Sequence, residues 1–65
     1  MIDKGSTVIF NDHAGPLVNL KGRVEDITQD DESENIDVRL IEGRGAYPVG
    51  DLVTVKRYEL TEYRA

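Results

Sequence analysis

Apolar and polar residues alternate most regularly in the middle of the chain. Ile36, Val38 and Leu40 are apolar, and the intervening Asp37 and Arg39 are charged. Because side chains two positions apart lie on the same face of a strand, this pattern predicts a β-strand with one buried and one solvated face.

Three further segments predict strands from their β-branched and aromatic residues, namely residues 6–10, 51–55 and 59–63. Val8 and Phe10 share one face of the first segment, so we expect both inside, and we expect Leu60 inside in the last one. Residues 56–58 lie between the last two segments and predict one short 3₁₀ turn, which is a common connector.

Residues 22–27 (GRVEDI) depart from strict alternation, since the apolar Val24 and Ile27 are three positions apart. A β-bulge would place both side chains on the buried face, and bulges are the usual way to curve a small barrel. A short amphipathic helical turn is the alternative that the spacing leaves open. Gly22 and the β-branched pair favour the bulged strand.

Two polar stretches predict the first loops. Residues 11–20 combine turn-forming residues with Leu17, Val18 and Leu20, so we expect an irregular loop that folds back over the core on these apolar anchors. Residues 28–35 are too polar and acidic to pack, and we expect a solvated hairpin loop there.

The third loop is predicted over residues 42–50, where three glycines and a proline exclude a regular helix. We expect it to be mobile, with Tyr47 and Val49 packed onto the core. Five short strands in so small a chain favour closure, which hides the strand edges. The prediction is an all-β fold, a single domain over residues 1–65 that forms a small five-stranded barrel with one short 3₁₀ turn.

The charge is unevenly distributed along the chain. The net charge is −5, and seven of the 13 acidic residues fall between Glu25 and Asp37 with no basic residue among them. A net negative charge disfavours tight non-specific binding to nucleic acid. We refer to the densest part of this region as the acidic tip, and we expect it to face a partner with a basic surface. The acidic tip consists of Asp30, Asp31, Glu32 and Glu34.

The residues that usually carry catalysis or bind metals are sparse. The chain has no cysteine, and His13 is its single histidine, so neither a zinc site nor a nucleophile–base pair is predicted. The acidic tip contains no glycine, which a calcium loop requires at its centre. We therefore predict no enzyme activity, no metal, no cofactor and no small-molecule substrate.

The same composition bears on location. The start of the chain lacks an apolar signal-peptide core, and no apolar run approaches the roughly 18 residues that span a membrane. We therefore expect a cytoplasmic protein without membrane insertion.

Several short motifs resemble those of SH3-like barrels. Residues 22–27 are similar to the second-strand run of KOW-type barrels, in which a glycine is followed by a valine and an aliphatic residue. Electron-transport accessory barrels, such as photosystem I subunit IV and the variable chain of ferredoxin–thioredoxin reductase, share this run. Residues 4–8, 37–40 and 58–63 resemble their opening, third and terminal strands. The resemblance implies an SH3-like barrel and, from the accessory barrels, docking onto a larger complex.

These observations predict a non-catalytic protein-interaction module, an accessory or regulatory subunit that docks on a larger protein. Tyrosine and arginine are favoured as interface anchors. The predicted protein-binding residues are Arg44, Tyr47, Lys56, Arg57 and Tyr58.

The alternative is a KOW-like module associated with RNA or the ribosome. Of the KOW signature of a basic residue between glycines, only Lys21 and Gly22 remain. Nucleic acid is therefore the less favoured partner. The cations available to such a module are Arg23, Arg39, Arg44, Lys56 and Arg57.

Overall fold

The computed structural model describes residues 1–64, so Ala65 of the predicted domain lies outside the described residues. Five antiparallel strands form one sheet in the order β4-β3-β2-β1-β5. The strands are β1 (Thr7–Phe10), β2 (Lys21–Gln29), β3 (Glu34–Leu40), β4 (Leu52–Val55) and β5 (Leu60–Glu62). The prediction of an all-β fold with five strands is confirmed.

The predicted barrel is not closed by strand pairing. Within the described residues, β4 and β5 do not pair with each other and form the two edges of the sheet. The N-terminal segment contributes to this side of the core instead. Ile2 is buried, and its carbonyl oxygen accepts a hydrogen bond of 3.0 Å from Arg57, which lies between β4 and β5.

The predicted bulge is present in β2. Val24 pairs with Val38 and Asp26 pairs with Asp37, so Glu25 is the extra residue that opposes none. This register excludes the alternative of a helical turn. Val24 is buried as predicted, whereas Ile27 is only partly buried against the core.

The core lies on one face of the sheet and follows the two-residue period. Val8 and Phe10 of β1, the apolar residues of β3 and Leu60 of β5 are all buried, as their positions in the strands predict. The complete buried set is Ile2, Val8, Phe10, Ala14, Leu17, Leu20, Val24, Ile36, Val38, Leu40, Val55 and Leu60.

Two 3₁₀ segments connect the strands, where the sequence predicted one. The predicted turn is η2 (Arg57–Glu59), displaced by one residue, and the other is η1 (Asp12–Leu17) in the first loop. Gly15 interrupts η1 with a φ of 60°, a conformation that glycine adopts without steric cost. The loop is anchored as predicted, since Leu17 and Leu20 are buried and Val18 is half-buried.

The hairpin between β2 and β3 has a shorter loop than predicted. Thr28 pairs with Asn35 and Gln29 pairs with Glu34, so only residues 30–33 form the turn. The strands extend this far because backbone pairing does not need apolar side chains. A prediction from the pattern of apolar residues does need them, and it therefore ends the strands too early.

The loop between β3 and β4 is folded on itself. The backbones of Arg44 and Tyr47 exchange two hydrogen bonds of 2.8 Å around Gly45, whose φ is 52°. Tyr47 packs against the core as expected, whereas Val49 is 65% exposed and the expectation for it is wrong.

Candidate functional site

The segment η2 is closed by its own hydrogen bond and is bonded to Asn11 at the start of the first loop. The Glu59 carboxylate accepts a hydrogen bond of 2.8 Å from the backbone N–H of Lys56 and closes the turn at its start. The Asn11 side-chain amide donates to the Tyr58 carbonyl oxygen at 2.8 Å, and the Asn11 backbone N–H donates to the Glu59 carbonyl oxygen at 2.9 Å. These bonds fix η2 against the beginning of η1.

Tyr58 projects from this fixed backbone into solvent. Its side chain is 65% exposed, although it lies on a turn whose backbone is hydrogen-bonded on both sides. Its ring meets the His13 ring edge-on, with centroids 5.9 Å apart and planes at 73°. The two rings therefore form a small aromatic ridge where η1 and η2 meet.

A shallow groove of about 360 Å³ runs beside this ridge. Its walls come from β1, the beginning of η1 and Thr61 of β5, and they include Asn11, Asp12, His13 and Asn19. The groove is open, and the residues that line it from the first loop are polar, whereas Ile9 and Phe10 of β1 are apolar. Small-molecule sites usually bury most of their ligand, so this shape suits a peptide segment better than an enclosed metabolite.

The predicted binding cations Lys56 and Arg57 contact the chain itself. Arg57 donates two hydrogen bonds of 2.8 and 2.9 Å to the Glu34 carboxylate and a third to the Ile2 carbonyl oxygen. Lys56 Nζ donates to Asn35 Oδ1 at 2.6 Å. The structure therefore assigns these two side chains to joining β3, η2 and the N-terminal segment.

Arg44 and Tyr47 lie together at the opposite end of η1. Arg44 Nη1 donates to the Pro16 carbonyl oxygen at 3.3 Å, while Tyr47 packs on the core. The five predicted protein-binding residues thus fall into two groups, with η1 between Arg44 and Tyr58.

The acidic tip is also divided by its contacts. The Asp30 carboxylate accepts hydrogen bonds from the backbone N–H groups of Ser33 and Glu32, at 2.8 and 3.2 Å, which lower its pKa and stabilise the turn. Glu34 pairs with Arg57. Asp30, Asp31 and Glu32 form no ion pair within residues 1–64, and of these only Asp31 and Glu32 have carboxylates without a hydrogen bond there.

The outer face of the sheet carries two arginines at directly opposite positions of neighbouring strands. Arg23 of β2 pairs in register with Arg39 of β3, an arrangement of like charges that is unfavourable. Glu25 offsets it, because its carboxylate accepts bonds of 2.6 and 3.0 Å from Arg39. The bond from Arg39 lowers the pKa of Glu25, and Arg23 forms no ion pair in the described part of the chain.

The described residues offer neither a cluster of metal ligands nor a membrane-spanning helix. Residues 1–64 contain no group of three or more His, Cys, Asp or Glu side chains arranged to hold a metal ion. No helical segment among them is long and apolar enough to cross a membrane.

The contact between Glu34 and Arg57 predicts a loss of stability in acid. The hydrogen bond from Arg57 lowers the pKa of Glu34 below its ordinary value of 4.5. A depressed pKa contributes stability that is present above the unfolded value and is lost as the pH falls through the folded one. The thermal midpoint of unfolding should therefore fall as the pH is lowered from about 5 to about 3.

Two variants identify the carboxylate responsible for part of this loss. Glu34→Gln should lower the midpoint at neutral pH and flatten its dependence on pH. Glu42→Gln is the control, because the Glu42 carboxylate makes only a 3.8 Å contact with Lys21, and it should behave like the wild type. An acid profile that Glu34→Gln leaves unchanged would contradict the assignment.

Sequence reasoning missed Asn11 and the groove beside it. Asparagine is a common turn residue, so a turn at Asn11 was predictable from the sequence. In the structure its side chain accepts a hydrogen bond from the His13 backbone N–H. Its second role depends on Tyr58, 47 positions along the chain. No local pattern signals a partner at that separation.

Comparison with protein-family models, curated proteins and solved structures found no match to this chain.

Proposed function

We propose that this chain is a non-catalytic protein-interaction module, a small accessory or regulatory subunit that docks on a larger protein. The observation that carries the proposal is the exposed Tyr58 ring on a turn held by Asn11 and Glu59. Tyrosine is enriched among the residues that dominate binding energy at interfaces. A backbone that is already ordered loses little entropy on binding, so this ring is suited to be an anchor.

The charges favour a partner with a basic surface. Asp12 lines the groove beside Tyr58, and Asp31 and Glu32 form no ion pair within residues 1–64. With a net charge of −5, the field of the molecule attracts cations at long range. We assign anchoring to Tyr58 and electrostatic steering to the acidic turn.

The KOW-like alternative has weaker support. Of its five cations, Arg39 and Arg57 are ion-paired and Lys56 is bound to Asn35. Binding to nucleic acid requires several cations to neutralise phosphates, and only Arg23 and Arg44 remain for that role.

The absence of cysteine agrees with a cytoplasmic location, where disulfides are rare.

Capture from a lysate of the native host, with and without nuclease, tests the proposal. A defined protein that is retained after nuclease treatment and identified by mass spectrometry should bind the purified chain directly. Tyr58→Ala should weaken this binding at least about tenfold, the effect of losing an interface anchor. Val49→Ala is the control, since Val49 has the same 65% exposure in another loop.

The outcomes separate the two proposed functions. Partners that disappear with nuclease, or an affinity that falls steeply with salt on isolated RNA, would support the KOW-like module instead. Equal binding by the wild type and Tyr58→Ala would exclude the proposed anchor.

A further inference from the structure

The outer edge of β4 offers unpaired backbone groups. The Leu40 backbone N–H donates to the Asp51 carbonyl oxygen, and its carbonyl oxygen accepts from the Gly50 N–H, so Leu40 faces β4. Because alternate residues of a strand face opposite neighbours, Val53 and Val55 bond to β3 while Leu52 and Thr54 direct their N–H and C=O groups outward. Within residues 1–64, no other strand pairs with this edge.

The edge strand β4 is short, at four residues, but it lacks the other features that usually prevent strand pairing. Natural edge strands carry charged residues, proline or a bulge, whereas β4 consists of Leu, Val, Thr and Val. Leu52, the first residue of β4, is 47% exposed. The other edge, β5, is only three residues long and includes the charged Glu62. The two edges of the sheet therefore differ in their capacity to pair.

We propose that β4 pairs with β4 of a second copy, antiparallel and about a two-fold axis at Val53. In this register Leu52 of each copy exchanges backbone hydrogen bonds with Thr54 of the other, using all four outward groups on each strand. The two Val53 side chains then lie opposite each other on the core face, where Val53 is only half-buried in the single chain. The two sheets become one continuous sheet.

The charges at the ends of β4 agree with self-pairing. Antiparallel pairing brings the beginning of one strand to the end of the other, so Asp51 of each copy lies near Lys56 of its partner. No charged residue occurs between them in the sequence, and thus no like charges are forced together along the strand.

The expected dimer is weak. Two paired edges of four residues bury much less surface than stable protein interfaces, which bury at least about 1,200 Å² in total. We therefore expect a dissociation constant on the order of 0.1 mM. Each copy carries a net charge of −5, and added salt should strengthen the dimer by screening this repulsion. This inference does not depend on docking at Tyr58, and either can fail alone.

Sedimentation over a range of concentrations tests the dimer with a matched pair of variants. Leu52→Lys places a charge on the free edge and should raise the dissociation constant at least about tenfold. Ile41→Lys is the control, because Ile41 is similarly exposed, at 44%, but lies outside β4. A wild-type chain that stays monomeric at about 1 mM, or equal effects of the two variants, would overturn the proposal.

Cross-linking tests the register. The chain contains no cysteine, so Val53→Cys introduces a single thiol at the axis, where the Cα separation of roughly 4.5 Å permits a disulfide. We expect this variant to form covalent dimers under mild oxidation much faster than Thr61→Cys on β5. Equal rates would overturn the register. A monomeric chain whose edge instead captures a strand of another protein, lost in Leu52→Lys, would also overturn pairing with a second copy.

Discussion

Val38→Asp is expected to leave the chain unfolded at room temperature. Val38 is fully buried at the centre of the sheet, paired with Val24 on one side and Val53 on the other. A carboxylate at this position finds no buried partner, and an unpaired buried charge costs several kcal/mol even after its pKa adjusts. A domain of this size has only about 3–5 kcal/mol of stability, so the cost of burying the carboxylate exceeds the free energy of unfolding.

Circular dichroism and the dispersion of amide resonances measure this outcome. Val49→Asp introduces the same carboxylate at an exposed position and should remain folded. A cooperative thermal transition in Val38→Asp near that of the wild type would show that the assigned strand face is wrong.

Gly22→Ala is expected to have the second-largest effect. A Cβ atom at this position would lie 2.4 Å from Val38 Cγ1 and 3.0 Å from the Arg39 carbonyl oxygen. Neither neighbour can move easily, because Val38 is packed in the core and the other atom belongs to the backbone of β3. Overpacking of this kind costs about 1–3 kcal/mol, a large part of the stability of so small a domain.

A double-mutant cycle identifies the clash. If the alanine methyl group is forced against Val38, combining Gly22→Ala with Val38→Ala should cost less free energy of unfolding than the sum of the single changes. We expect a coupling on the order of 1 kcal/mol. Additive effects would place the cost elsewhere, at the Arg39 carbonyl oxygen or in the backbone of β2.

The strands and their buried faces were predictable because a two-residue period reports burial directly. Val8, Phe10 and Val38 needed no other information, and the three-residue spacing of Val24 and Ile27 indicated the bulge. The ends of β2 and β3 were not predictable in this way, because polar residues pair there without being buried. The burial of Ile2 was not predictable either, because the residues around it show no strand pattern.

The candidate site was less predictable because its contacts are distant in sequence. Composition identified Lys56 and Arg57 as available cations, but their partners Asn35 and Glu34 lie 21 and 23 positions away. The sequence predicted Tyr58 as a binding residue without indicating its exposure, and both its exposure and its support by Asn11 required the fold. The distribution of charge along the sequence therefore overstated how many charged side chains are free to bind a partner, both in the acidic tip and among the predicted binding cations.

The most direct test of docking at the junction of η1 and η2 is an amide chemical-shift map of the isotope-labelled chain, titrated with the partner protein that capture identifies. We expect the largest changes at residues 11–19 and 56–61, around Tyr58 and the groove. Changes confined to the outer sheet face around Arg23 and Arg39, with residues 56–61 unaffected, would contradict the proposed docking surface.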